Sequence, residues 1–419
     1  MNATQSQSES VIPGEPRRSP GGGKYSDVYD SLLKLERWSV AADYQAFDTF
    51  DGLSSPLAPL FTLNIPLLKQ VWQQGVRRFP LNLRPLLGIR RAHSSKGMGF
   101  FAQGYLRLYQ MTGKEEYFGK MRFCLDWLMQ HRCPQFKGNA WGNHFDYQHR
   151  AGNIPPGVPT IVWTGLIGHA FLDAYESLGT KEYLTISEGI AYFIMHELGL
   201  SEFDNGVYLH YYPGATHFVH NSSMIGASFL LRLQQHSPNN DMVRLGKAAV
   251  AWTVREQLPN GAWYYGMGPN FKWIDSFHTA YVLEALAGAC RNGCDYAANL
   301  KKGYEFYVNT FFETDGTPRY YHDRRGPIDI QCASQAIQTL TTLSELHPQS
   351  AETAYRVARW TIQNMQDASG FFYYRKYPVM TNKTPTLHWG QATMFAALAL
   401  LTQSVQDAPS HRSELTPQS

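Results

Sequence analysis

Four short segments gather most of the side chains that can do chemistry: DNGVYLHYYP, PNGAWYYG, TDGTPRYYHD and ASGFFYYRKYP. They supply aromatic faces for stacking, carboxylates and imidazoles for proton transfer, and guanidinium forks for anions. The first contributes His210, Tyr211 and Tyr212, followed by His217 and His220. The second contributes Tyr264 and Tyr265, with Asp275 and His278 soon after. The third contributes Tyr320, Tyr321, Arg324, Arg325 and Asp329. The fourth contributes Tyr373, Tyr374 and Arg375, followed by His388 and Trp389. An earlier stretch, WGNHFDYQHR, adds Trp141, His144, Asp146, His149 and Arg150. Tyr212, Asp275, His278, Tyr320, Tyr321 and Asp329 are the candidates for proton transfer. Trp141, Asp146, Arg150, His210, Tyr264, Tyr265, Arg324, Arg325, Tyr373, Tyr374, Arg375 and Trp389 are the candidates for ligand binding. A second reading stays open for many of them. A repeated tyrosine can wedge neighbouring repeats, because a large ring with one polar tip packs well at an interface. Asp275 and Asp329 stand where helix N-caps are expected. Arg324 and Arg325 form either a solvated turn or a forked anion clamp.

The spacing of these segments sets the architecture. Gly206, Gly261, Gly316 and Gly370 are separated by 55, 55 and 54 residues, and an aromatic pair follows each. Asn221, Asp275, Asp329 or Thr386 then precedes an apolar run such as SFHTAYVLEALAGA or IQCASQAIQTLTTL. Short polar side chains suit helix N-caps, and helices apolar nearly all round are buried on most sides. More polar amphipathic helices follow, such as AETAYRVARWTIQNMQ, where Ala354, Val357, Ala358, Ile362 and Met365 share a face. The unit is an inner helix, an outer helix and a glycine-aromatic loop. Looser units precede it, opening with IPLLKQVWQQGV. About six hairpins that bury each other only when stacked predict an all-α fold, an (α/α)6 toroid with repeats of about 55 residues. The loops then share one rim, at inner-helix N-termini whose amides attract anions. The expected organisation is a tail over 1–24, one toroid domain over 25–405 and a second tail over 406–419.

Composition narrows the function. A net charge of +3 spread over 419 residues gives no basic field for nucleic acid. No apolar run is long enough for a transmembrane segment, and the polar amino-terminal sequence lacks a signal-peptide core; a cytoplasmic protein is expected. The five cysteines have no zinc spacing, and no metal motif, nucleotide loop or nucleophile elbow occurs. No cofactor is expected. The aromatic content of 14% suits a cleft for an oligo- or polysaccharide.

Several stretches carry a resemblance: ADYQAFDTFDGLSSPL, NLRPLLGI, WGNHFDYQHR, IDIQCASQAI, WTIQNMQDASGFFYYRKYP and WGQAT. They resemble a sparsely characterised family of α/α-toroid proteins associated with polysaccharide gene clusters, which implies association with polysaccharide biosynthesis machinery. A more distant similarity is to the helical domain of heparosan glucuronyl C5-epimerases. YYPGATHFVHN over 211–221 resembles that family's tyrosine-proline step and places Tyr212 at its catalytic tyrosine. YYHDRRGPIDIQ over 320–331 is similar to a second motif, with Tyr320 or Tyr321 at its tyrosine and Asp329 at its aspartate; Ile330 replaces a further tyrosine. DSFHT over 275–279 has a related layout. The resemblance implies proton abstraction at C5 of a uronate, by an epimerase or a lyase. It would use a tyrosine whose pKa nearby Arg324 or Arg325 lowers. Two alternatives from the residues alone are a glycoside hydrolase using Asp146 and Asp275 as paired carboxylates, and a glycan-binding protein without activity.

Overall fold

A computed structural model describes residues 25–149 and 152–407. The predicted tail over 1–24, most of that over 406–419, and Arg150 lie outside these residues. Helix α1 (Ser26–Ala41) is followed by the short α2 (Ala58–Thr62) and by α3 (Pro66–Arg78). Inner and outer helices then alternate. These are α4 (Ser95–Thr112), α5 (Glu115–Gln130), α6 (Ile161–Leu178), α7 (Lys181–His196), α8 (His220–Leu233), α9 (Asn240–Arg255), α10 (Ser276–Arg291), α11 (Ala297–Thr310), α12 (Ile330–Thr342), α13 (Gln349–Met365) and α14 (Thr393–Asp407). The even-numbered helices from α4 to α14 each pack on the next, and α14 packs on α4, so the ring closes. Phe395 of α14 lies against Phe101 and Tyr105 of α4, with ring centroids 5.5 and 4.8 Å away. The chain folds as an (α/α)6 toroid.

Two sequence expectations change. IPLLKQVWQQGV does not open the ring: it becomes α3, which packs on α2 and on the 3-10 turn Asp51–Ser54, at one mouth. The outer helix paired with α14 is α1, drawn from the other end of the chain. The repeated glycines show the same arrangement. All four have positive φ (Gly206 +151°, Gly261 +95°, Gly316 +93°, Gly370 +111°), and each passes under the outer helix that follows in the ring. A Cβ at Gly206, Gly261 or Gly316 would press on the backbone oxygen of Ala248 in α9, Lys302 in α11 or Arg356 in α13. At Gly370 it would meet Lys34 of α1, which therefore occupies the sixth outer position.

The aromatic pairs have a structural task at the rim. The first amide of four inner helices donates to a carbonyl of the neighbouring loop: Ile161 to Tyr211, His220 to Tyr265, Ser276 to Tyr320 and Ile330 to Tyr374, at 2.9–3.1 Å. Asp275 caps α10 by accepting from the His278 amide, and Asp329 caps α12 by accepting from the Gln331 amide. Asn221 is no cap: α8 starts one residue earlier, with Val219 at the N-cap and no capping side chain. Thr386 precedes a π-helical turn (Leu387–Ala392) without a side-chain capping bond. The inner-helix amides at the rim are thus largely used within the ring, which corrects the expectation of an open circle of anion-binding helix ends.

Three small sheets edge the rim. Strands β1 (Tyr147–His149) and β2 (Gly152–Ile154) form one antiparallel hairpin, and β3 (Leu200–Phe203) and β4 (Gly206–Leu209) another. β5 (Ile328–Asp329), β6 (Arg375–Lys376) and β7 (Thr381–Asn382) make a third, antiparallel throughout.

Candidate active site

A cleft of about 400 Å3 opens at the mouth that α3 partly covers. Its floor drops into a narrower recess of about 60 Å3. Phe50, Tyr147, Tyr211, Phe277, His278 and Trp389 line both, so the two are continuous. The first turn of every inner helix, or the residues leading into it, reaches the recess: Lys96, Val162, Asn221, His278, Gln331 and His388. The closed ring brings these positions together, although each lies in a different repeat.

Two imidazoles in the recess are backed by carboxylates. His278 Nδ1 lies 2.7 Å from Asp275 Oδ2. The same oxygen accepts from Trp273 Nε1 at 2.8 Å, and Asp275 Oδ1 accepts from the His278 amide at 3.0 Å. His388 Nδ1 is in short contact with Asp48, 340 residues away in sequence. Burial penalises the Asp48 carboxylate, but His388 overrides it and holds Asp48 below the ordinary range. Burial also lowers the His388 pKa, against the pull of Asp48. Burial thus favours the neutral form of the His388 imidazole. In both pairs Nδ1 faces the carboxylate, leaving Nε2 as the ring nitrogen able to exchange a proton.

The other groups in the recess are polar and enclosed. Burial pushes the Lys96 ammonium down to about 7, against the opposing pull of Asp48. The side-chain amide oxygens of Asn143, Asn221 and Gln331 are buried there with no hydrogen-bond partner among the described residues. Buried acceptors are normally satisfied, and three converging on a recess suit the hydroxyls of a sugar. Higher in the cleft, the Arg77 Nε donates to the Tyr374 hydroxyl at 2.8 Å. Its guanidinium stands 4.5 Å from the Phe50 ring and 5.5 Å from the Trp389 ring. Burial works against its charge, but Tyr374, Tyr320 and Asp329 raise its pKa above the ordinary arginine value. The lining holds Lys96, Arg77, Arg78, Lys272 and Arg324 against a single carboxylate, Asp275.

The sequence candidates divide accordingly. Tyr265, Asp275, His278, Tyr320, Tyr321, Arg324 and Trp389 line the cleft. Tyr212 sits at the rim beside Tyr211 and His217, outside the lining. Tyr264 lies in a small pocket behind Tyr265. Tyr373 donates to Asp367 at 2.9 Å, and Tyr374 is buried against Arg77. Asp329 and Arg375 form a buried ion pair below the rim, with Arg375 Nε donating at 2.8 Å. His210 turns to Ser201, with Nε2 and Oγ 3.0 Å apart. Trp141 is in the core: its ring is fully enclosed and its indole donates to the Leu128 carbonyl. Arg324 and Arg325 diverge rather than forming one clamp. Arg324 lies over the Tyr321 ring at 4.2 Å, whereas Arg325 is exposed beside Glu313. Asp146 pairs with Lys69 at 3.2 Å and accepts from Asn153, outside the lining, so it does not face Asp275 as a free second carboxylate.

The surroundings of the candidate tyrosines disfavour the phenolate form. Burial raises Tyr212, and it raises Tyr321 despite Arg77 and Arg324. Burial takes Tyr320 well above 10, although Arg77 and Arg375 oppose it. Such shifts favour the protonated phenols at neutral pH, whereas the recess also holds two imidazoles and Lys96, which burial brings to about 7. Asp48, Arg77 and Lys96 were not among the sequence candidates, and no repeat marks them. Asp48 did lie in a stretch that carried the family resemblance.

No family model and no curated protein matches the sequence. Solved structures do match. A cellobiose 2-epimerase from Bacillus thermoamylovorans aligns with a TM-score of 0.58 at 11% identity, over 74% of this chain and 87% of that one. A polysaccharide lyase aligns at 0.59 and 9%, over 93% of this chain and 100% of that one. An unsaturated glucuronyl hydrolase specific for heparin aligns at 0.58 and 12%, over 90% and 95%. At such identities the likeness establishes the shared toroid fold.

Proposed function

We propose that this chain is a carbohydrate-active enzyme that moves a proton at a sugar carbon, as a uronate epimerase or lyase. The observation that carries this reading is the pair of carboxylate-backed imidazoles, His278–Asp275 and His388–Asp48, lining one recess beneath a cationic mouth. Inverting a carbon centre needs a base on one face and an acid on the other. A proton attached beside a carboxylate becomes acidic only when that carboxylate is neutralised, which preorganised cations can do. Arg77 and Arg324 are placed to hold the substrate carboxylate. One imidazole Nε2 takes the C5 proton, leaving the electron pair delocalised into the carboxylate as an enolate. The other imidazole, as imidazolium, returns a proton to the opposite face. In a lyase the electron pair instead expels the 4-linked sugar, and the second imidazolium protonates the leaving oxygen. The names of the structural neighbours, an epimerase, a lyase and a glucuronyl hydrolase, support sugar as the substrate class.

The test is proton exchange in deuterium oxide on glucuronate- and iduronate-containing oligosaccharides. The reading expects deuterium at C5, or an unsaturated product, with the wild type, and loss of both in His278→Asn and His388→Asn. Glycan binding without exchange would assign the cleft to recognition alone. Reducing ends released without exchange or unsaturation would assign it to hydrolysis.

A further inference from the structure

We infer that α2, α3 and the residues after them form a docking surface for an anionic lipid bilayer, placing the mouth of the cleft at the headgroup layer. Helix α3 departs from an ordinary surface helix's polarity: it buries Val76, but it buries polar side chains as well and exposes apolar ones. Its polar residues Gln73 and Arg77 are buried, and Gln70, Gln74 and Arg77 line the cleft, while Leu67 and Val71 point outward. The outward face continues beyond α3. Leu60, Phe61, Leu63, Leu67, Val71 and Leu86 are each 59–81% exposed. Leu63 has a left-handed backbone (φ +49°), which a branched side chain rarely adopts. A soluble surface rarely leaves so many large apolar side chains together.

Charge selects the occupant. Residues 52–91 hold six Lys or Arg and no Asp or Glu. Arg78, Arg90 and Arg91 are exposed within that stretch. Lys69 and Arg84 are ion-paired with Asp146 and Asp51, whereas the exposed Arg78, Arg90 and Arg91, beside the apolar side chains, match a bilayer interface with anionic headgroups. A second copy is a poorer match, because a twofold contact sets the same patch against itself and brings like charges together. No helix among the described residues is long and apolar enough to cross a membrane, so the attachment is interfacial. Docking does not depend on the catalytic reading. A further consequence, that the glycan is itself attached to the membrane, does rest on that reading.

The test is co-sedimentation with phosphatidylcholine vesicles, with and without a quarter of phosphatidylglycerol. The wild type should sediment with the anionic vesicles and release at high salt. Arg90→Gln with Arg91→Gln should weaken that partition about thirtyfold. Leu67→Glu with Val71→Glu should abolish it. Both pairs are exposed and outside the cleft lining, so turnover of a soluble oligosaccharide should be unchanged; absence of turnover in every form counts against the catalytic reading and not against docking. Three results would overturn the inference: no sedimentation with either vesicle, equal sedimentation with both, or a dimer in light scattering that Leu67→Glu with Val71→Glu splits without any vesicle binding.

Discussion

Replacing Asp275 by asparagine tests whether His278 moves protons, because the change keeps the shape and removes the charge. The carboxylate now accepts three hydrogen bonds: from Trp273 Nε1 at 2.8 Å, from His278 Nδ1 at 2.7 Å and from the His278 amide at 3.0 Å. An asparagine oxygen can retain the amide bond, so the α10 cap survives. Its NH2 group then faces Trp273 and His278. The indole can only donate and loses its partner. The imidazole can answer only by becoming an acceptor at Nδ1, which moves its proton to Nε2. Losing one charge-assisted bond at a partly buried donor costs about 2 kcal/mol. The wrong tautomer removes general-base capacity and should slow C5 exchange by about 10²–10⁴-fold. Urea unfolding and deuterium incorporation, measured on the same preparation, separate the two effects. An Asp275→Asn protein that loses stability by this amount yet exchanges within threefold of wild type would refute the role of His278.

Three further outcomes are expected. In the folded protein Lys96 sits at about 7, below its ordinary value, so the unfolded chain binds the extra proton between about pH 7 and pH 10. Stability should therefore rise with pH across that window in wild type relative to Lys96→Met, and thermal melts at several pH values read the difference. Arg375→Met strips the buried Asp329 of its ion-pair partner and should destabilise by about 3–5 kcal/mol in urea. Gly316→Ala forces a side chain into a backbone at φ +93°, with its Cβ 2.5 Å from the Arg356 oxygen, and should cost about 3 kcal/mol by the same assay.

The ring was legible because one constraint recurs. Each loop must slip under the next outer helix, so a glycine returns every 54 or 55 residues, and the tyrosine after it lends its carbonyl to an inner-helix amide. Helix α1 escaped the pattern because no glycine-aromatic loop precedes it within the chain. Helix α3 was misplaced because periodicity reveals an apolar stripe without saying which way it faces. At the site, Asp275, His278, Tyr320, Tyr321, Arg324 and Trp389 stand in or beside the repeated loops and were recognisable there. Asp48, Arg77 and Lys96 come from the chain before those loops, and contacts such as Asp48 with His388 arise only when the ring shuts. The tyrosines were visible, but their protonation was not. That depends on how deeply each ring is enclosed, and spacing carries no record of depth.

Helices α14 and α1 make a hairpin whose connecting turn is missing. Five pairs can form as soon as their own residues leave the ribosome, whereas the sixth must wait for α14 and then recruit a helix that precedes all five in the chain. Long-range pairing of this kind slows folding and leaves the apolar flanks of α4 and α14 uncovered meanwhile. A circular permutant that links residue 407 to residue 25, with new ends in an exposed turn elsewhere, would make that pairing local and should refold faster into the same ring.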